Sequence, residues 1–207
     1  LKNKFDLPDH KALILDLTPK QLLNIEGLDL TPLYTKQLQR YKQGMGVFEV
    51  DWALSEETPF TDIRARQAAT VHIGGTFNDI ALSEEDGHKG KLTDKPFVLF
   101  TQQSQFDKTR APEGKHTGWA YCHVPNGSTV DYTAIIENQI ERFAPGFKDT
   151  ILARHTFSPA QLEAYNPNYI GGDINGGIMD IAQLYTRPTI SLNPHRTSNK
   201  SVYICSS

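Results

Sequence analysis

Trp119, Tyr121 and His123 are the side chains whose types and spacing best suit ligand binding. They are two residues apart, so a strand would place all three on one face and the residues between them on the other. Aromatic rings with polar tips suit an apolar ligand that has one polar group. Trp52 belongs to a second alternating run, whose face could lie beside the first. Ordinary packing in the core of a sheet explains these residues about as well, so the pattern leaves both interpretations open.

A glycine-rich loop, defined here as residues 171–177, is the second candidate for binding. Four glycines among these seven residues permit positive φ angles and a close approach of the backbone to a ligand. A flexible surface loop would have the same composition, and composition does not separate the two interpretations. The candidate residues of the loop are Gly171, Gly172, Asp173, Asn175, Gly176 and Gly177.

Several common kinds of active site are not indicated. Gly44 and Gly46 supply the first two glycines of G-x-G-x-x-G, but they precede a predicted strand, whereas that dinucleotide fingerprint follows one. A helix end and a turn are the better interpretation. Cys122 and His123 would point to opposite faces of a strand, so a buried structural thiol is expected at Cys122. The seven histidines show no metal-ligand spacing, so neither a metal site nor a catalytic residue is predicted.

The composition restricts the class of protein. The chain has 207 residues and a formal net charge of −3, with its basic residues scattered, so no nucleic-acid partner is expected. Two isolated cysteines favour a cytoplasmic protein without disulfides. No apolar run approaches the roughly 20 residues of a membrane span, and a peripheral attachment to a membrane is left open. The absence of an initial Met favours the interpretation that the chain is a fragment of a longer protein.

Hydrophobic periodicity and helix start signals predict an α+β fold with about five strands interleaved with five or six helices in one domain. The predicted strands are residues 46–54, 69–73, 96–102, 119–124 and 202–205. The clearest predicted helix is 131–143, and another is predicted at 147–154. Residues 77–83 are expected to be helical and 84–95 to form a charged connection.

Stretches along nearly the whole chain resemble the phytoene dehydrogenase-related FAD-dependent oxidoreductases, in a consistent order. The run Gly-Trp-Ala-Tyr-Cys-His-Val-Pro at 118–125 resembles a strand segment of that family. The other similar stretches are residues 12–23, 44–54, 136–154, 158–189 and 202–207. The resemblance is greatest to the subgroup that includes the pyridine nucleotide-disulfide oxidoreductase domain-containing proteins, rather than to the dedicated phytoene desaturases.

The resemblance implies a fragment of a two-domain flavoprotein whose FAD-binding Rossmann part is absent from this sequence. Residues 1–25 would be a strand and helix that re-enter from the FAD domain, and 191–207 would begin the return to it. Residues 26–190 would be the substrate-binding domain, a mixed β-sheet flanked by helices. FAD would belong to the parent protein, and the fragment alone is expected to bind no cofactor and to be inactive.

The resemblance also implies roles for the candidate residues. The glycine-rich loop would lie near the edge of the flavin, and Trp52, Trp119, Tyr121 and His123 would face a hydrophobic substrate. The parent would remove a hydride from such a substrate or add one, as a dehydrogenase, desaturase or saturase. The expected partners are this substrate and the rest of the parent chain, and an isolated fragment is expected to self-associate. The alternative is a non-catalytic ligand-binding or protein-interaction module derived from the same family.

Overall fold

The structure is a computed structural model that describes residues 1–205, so Ser206 and Ser207 of the last similar stretch lie outside the described residues. The strands are β1 (Leu13–Leu15), β2 (Gly46–Leu54), β3 (Thr70–Ile73), β4 (Val98–Thr101), β5 (His116–Val124), β6 (Ile151–Phe157) and β7 (Val202–Ile204). The helices are α1 (Pro19–Leu22), α2 (Pro32–Gln39), α3 (Ile63–Arg66), α4 (Phe77–His88), α5 (Thr133–Glu141), α6 (Pro159–Tyr165) and α7 (Ile181–Tyr185).

The predicted α+β fold, a sheet flanked by helices, is confirmed. Five strands form one sheet in the order β3-β4-β5-β2-β6, and every pairing in it is antiparallel. The parallel pairing lies in a separate two-stranded sheet of β1 and β7, so the sheet within residues 26–190 is antiparallel and not mixed as expected. The larger sheet carries Trp52 on β2 and Trp119, Tyr121 and His123 on β5.

Helix α5 packs against one face of the larger sheet because both contribute an apolar stripe. Ile136 and Ile140, one turn apart on α5, are fully buried together with Val50 and Phe100 of the sheet. Phe147 extends this core, with its ring edge-on to Trp52 at 5.3 Å between centroids. Burial of apolar area of this kind is the main favourable contribution to folding.

A second, smaller core lies beneath the β1–β7 pair. Leu22 of α1, Leu38 of α2 and Val202 of β7 are fully buried there, next to Leu15 and Ile204. Pro19 and Pro32 occupy the first positions of α1 and α2, where their fixed φ and missing N–H cost a helix nothing. The two cores are formed by different elements, so the chain has a main sheet layer and a separate small layer.

Two predictions of secondary structure are wrong. Residues 147–154 are not a helix, because a 3-10 turn at Phe147–Thr150 leads directly into the edge strand β6. The supposed connection at 84–95 begins with helix, because α4 continues to His88. The reciprocal hydrogen bonds of Thr76 and Asp79 form a capping box that starts α4. Within residues 1–205, no helix has both the length and the apolar character needed to cross a bilayer.

Candidate substrate-facing site

Strand β5 separates core from surface as the alternation predicted. Ala120, Cys122 and Val124 are buried against α5, and Trp119, Tyr121 and His123 lie half-buried on the opposite face. Ring centroids are 5.4 Å apart for Trp119 and Tyr121 and 5.9 Å apart for Tyr121 and His123. We call this side of the sheet the aromatic face. Its role toward a substrate stays a prediction.

Trp52 does not belong to the aromatic face, so the expectation that its surface lies beside Trp119 is wrong. The register pairs Trp119 with Asp51, which sends the next residue, Trp52, to the opposite side of the sheet. There Trp52 is 2% exposed, and its indole N–H donates to Glu137 Oε1 at 3.0 Å. The same carboxylate oxygen lies 2.9 Å from Arg154 Nε. Trp52 is therefore a core residue whose indole N–H has a hydrogen-bond partner.

Two carboxylates of β2 occupy the middle of the aromatic face. Glu49 pairs across the sheet with Tyr121 and Phe157, and Asp51 pairs with Trp119 and His155. Burial raises the pKa of Glu49, the charge of Asp51 raises it further, and the Trp119 side chain opposes the change. Burial likewise raises the pKa of Asp51, against the effect of His155. The aromatic face therefore contains polar groups whose charged forms are incompletely solvated.

Burial also raises the pKa of Tyr121 and of Cys122 on β5. The pKa of Tyr121 is raised by burial first and by the charges of Glu84 and Glu49 second. The Cys122 thiol is fully buried, and burial raises its pKa far above the ordinary value. A thiol in this state is a poor nucleophile, which agrees with the structural thiol expected at Cys122. The described residues contain no group of three or more His, Cys, Asp or Glu that could hold a metal ion.

A cavity of about 340 Å³ opens at the His123 end of the aromatic face. Met45, Ile178 and Met179 supply apolar wall, while Glu84 and His88 of α4 and His123 of β5 supply polar groups. Asn175 and Gly177 of the glycine-rich loop complete one side. The structure thus brings one of the aromatic candidates and two of the loop candidates to a single cavity.

His123 and Glu84 form the polar pair of this cavity. The Nδ1 atom of His123 lies 2.8 Å from Glu84 Oε2, and their side chains are 23% and 30% exposed. The other carboxylate oxygen, Glu84 Oε1, is buried and has no hydrogen-bond partner among the described residues. Glu84 and His88 are four residues apart, so α4 presents both from one side. Sequence reasoning missed both residues because the predicted helix ended at residue 83, whereas α4 continues to His88.

The glycine-rich loop is held by the protein itself, so it is not a flexible surface loop. Asp173 is completely buried, where Oδ2 accepts from the Gly44 N–H at 2.6 Å and Oδ1 from the Asn175 N–H at 2.9 Å. The hydroxyl of Tyr41 donates to the Gly176 carbonyl at 2.8 Å. Arg187 donates to the carbonyls of Asn175 and Gly177. These contacts fix the backbone that borders the cavity.

Close packing within the protein explains the glycines at the start of the loop. Gly171 and Gly172 have φ angles of 64° and 82°, in the region that favours glycine. A Cβ atom at Gly171 would collide with Asn126, and one at Gly46 would collide with the Gly171 carbonyl oxygen. Only Asn175 and Gly177 among the loop candidates line the cavity. A position beside a flavin stays a prediction for the whole loop.

Comparison with known proteins places this geometry in context. No protein-family model matches the chain. It is 31% identical over 135 residues to pyridine nucleotide-disulfide oxidoreductase domain-containing protein 2 of Mus musculus and 30% identical over 135 residues to that of Rattus norvegicus. Each alignment covers 59% of this chain and 23% of the relative. The chain therefore spans less than a quarter of the length of these related proteins.

Two solved structures share the fold. One is an oxidoreductase from Methanosarcina mazei, with a TM-score of 0.53 and 12% identity over 96% of this chain and 38% of that one. The other is a triple mutant of putrescine oxidase with redesigned cofactor binding, with a TM-score of 0.50 and 13% identity over 94% of this chain and 36% of that one. At these identities the similarity concerns the fold alone, and in both cases it covers only part of the longer protein.

Proposed function

We propose that this chain is the substrate-side part of a longer FAD-dependent oxidoreductase, of the phytoene dehydrogenase-related kind, that acts on a hydrophobic substrate. The observation on which the proposal depends is the one-sided sheet. Helix α5 covers one face, while the opposite face presents Trp119, Tyr121 and His123 beside a preformed cavity. Largely apolar, preformed cavities with a few polar groups are the usual form of a small-molecule site.

The relatives support the same interpretation. The mouse and rat proteins are named as oxidoreductase domain-containing proteins, and the archaeal structure of the same fold is an oxidoreductase. A flavin would supply the acceptor for a hydride, and the protein around it would supply positioning and a water-poor cavity. Hydride removal, as in a dehydrogenase or desaturase, and its reverse are both compatible with an aromatic face.

Gly44 and Gly46 do not form a cradle for the pyrophosphate of FAD. The N–H of Gly44 already donates to Asp173, and the space that Gly46 would leave for a ligand is filled by the Gly171 carbonyl. Backbone N–H groups of a G-x-G turn can bind a pyrophosphate only when they are free to do so. We therefore propose that the rest of the parent chain holds the cofactor and that this part covers the substrate.

The β1–β7 pair is the proposed junction with the FAD-binding part. Parallel strands usually lie in larger sheets that are covered on both faces, yet Ile14 in the middle of β1 is 67% exposed. We propose that the rest of the parent covers this pair, in line with residues 1–25 and 191–207 belonging to the FAD domain. The five-stranded sheet would then be the substrate-binding part of the parent.

The visible absorption spectrum of protein made from the complete reading frame around this chain tests the proposal. We expect a flavin band that bleaches with dithionite under anaerobic conditions. A colourless, folded product that takes up no added FAD would overturn the oxidoreductase proposal. It would favour a non-catalytic ligand-binding or interaction module instead.

One feature favours the interaction module as a second candidate. Residues 179–192, which we call the apolar segment, contain the exposed side chains Met179, Ile181, Leu184, Tyr185, Ile190 and Leu192. Asp180 and Arg187 within it already contact Lys42 and Tyr41. Large exposed apolar patches mark interaction sites or surfaces that another part of the protein covers.

We expect the isolated chain to self-associate through the apolar segment. Its mass by light scattering should rise with concentration, and Ile181→Lys should reduce that rise because it places a charge in the patch. Ile63→Lys is the matched control, since Ile63 is also exposed but lies on α3. A mass that stays monomeric at all concentrations would contradict the prediction, as would equal effects of the two substitutions.

A further inference from the structure

We propose that the cavity beside His123 binds the polar end of a mainly apolar substrate through an O–H or N–H group, which donates a hydrogen bond to His123 Nε2. This inference rests on the proposed function and narrows its substrate class, because a pure hydrocarbon has no such donor. Its basis is the geometry of the His123–Glu84 pair within the cavity.

The carboxylate of Glu84 determines the tautomer of His123. An ionised carboxylate only accepts hydrogen bonds, so a neutral imidazole 2.8 Å from Glu84 Oε2 must have its proton on Nδ1. The Nε2 atom then has a free lone pair, and it has no hydrogen-bond partner among the described residues. An imidazole held in this way is a preoriented acceptor rather than a donor.

The walls of the cavity indicate what kind of group surrounds the O–H or N–H donor of the ligand. Met45, Ile178 and Met179 are apolar and line the cavity together with His123. Met side chains adapt to irregular apolar ligands because they are unbranched and flexible. Asp180, the other acid at the cavity, is 3.6 Å from Lys42, whereas Glu84 has no Lys or Arg within ion-pair distance among the described residues. At this cavity, His123 is therefore the hydrogen-bond acceptor that a neighbouring carboxylate holds in a fixed orientation.

The test uses protein from the complete reading frame and diethyl pyrocarbonate. An unprotonated imidazole nitrogen attacks a carbonyl carbon of this reagent, which leaves the histidine carbethoxylated and releases CO2 and ethanol. The reaction is run at about pH 8, above the ordinary pKa of histidine. Modification of each histidine is followed by peptide mass spectrometry, with the exposed His10, which lies outside the larger sheet, as internal reference. The probes are octan-1-ol and heptyl methyl ether, which have the same number of heavy atoms but differ in the O–H donor.

We expect His123 to be modified in the free protein. Octan-1-ol should protect it at a concentration about tenfold lower than the ether does, because one additional hydrogen bond strengthens binding by about this factor. Glu84→Gln should reduce this preference to less than about twofold, because an amide can pair with either tautomer. Glu85→Gln is the matched control, since Glu85 pairs outside the cavity with Lys89, and it should keep the preference. His10 should be modified at the same rate throughout.

Equal protection by the alcohol and the ether would overturn the inference, as would a preference unchanged in Glu84→Gln or a His123 that is never modified. The readout does not depend on flavin. A preference for the alcohol in a protein without flavin would therefore sink the proposed function and leave the binding site standing. A flavoprotein without the preference would sink the binding site alone.

Discussion

Replacing Trp52 with alanine should lower the free energy of unfolding by about 3–5 kcal/mol, while Trp119→Ala should cost about 1 kcal/mol. Trp52 is 2% exposed and contacts the rings of Phe100 and Phe147, so its removal leaves a cavity in the main core. Trp119 is half-buried on the aromatic face, where water can refill the space. Equilibrium unfolding in denaturant measures both variants.

Trp52→Phe separates packing from hydrogen bonding at this site. It keeps an aromatic ring and removes the indole donor to Glu137, which retains its contact with Arg154. We expect the free energy of unfolding to fall by about 1–2 kcal/mol, which is less than in Trp52→Ala. Equal losses for Trp52→Ala and Trp119→Ala would mean that the faces of β2 and β5 are not related by the register described above.

Asp173→Ala should destabilise the chain by about 3 kcal/mol, because a fully buried acceptor is removed from two backbone donors. The N–H groups of Gly44 and Asn175 would lose the hydrogen-bond partner that the buried carboxylate of Asp173 provides. The measurement is again equilibrium unfolding, with amide hydrogen exchange of residues 171–177 to report the local effect.

Asp173→Asn keeps an acceptor oxygen and nearly the same shape, so it should cost clearly less than the alanine variant. Asp94→Ala is the surface control, since Asp94 is exposed, and its effect should stay within about 0.5 kcal/mol. A loss below that limit for Asp173→Ala would show that the glycine-rich loop is held by its other contacts.

The alternation of buried and exposed side chains within a single strand could be predicted from the sequence. Which faces of two neighbouring strands lie on the same side of the sheet could not. The predicted bounds of 46–54 coincide with β2, and the two faces of β5 divide as the residue types indicated. Whether Trp52 and Trp119 share a face depends on the register, and a shift of one residue would reverse the answer. That register is set by pairing partners far away along the chain, which local periodicity does not contain.

The missed elements lack the signals that periodicity needs. In β6, a run from Leu152 to His155 is exposed, so the edge strand shows no alternation. Helix α4 buries only Ser83 and Gly87, and a Cβ at Gly87 would collide with Met45. A helix that packs through small residues has no apolar stripe to detect. Of the cavity polar pair, His123 was a candidate and Glu84 was missed, because the predicted helix ended at residue 83.

The parallel pair of β1 and β7 determines the order in which the chain can fold during synthesis. Leu13 pairs with Val202, whereas all strands of the larger sheet lie between residues 46 and 157. Chains emerge from the ribosome from the N-terminus, so the larger sheet can assemble before β7 exists. Among the described residues β1 has no other strand partner until then, and an unpaired strand edge is a template for wrong association. We therefore expect the interval between completion of the sheet and arrival of β7 to be the stage at which the nascent chain most depends on chaperones.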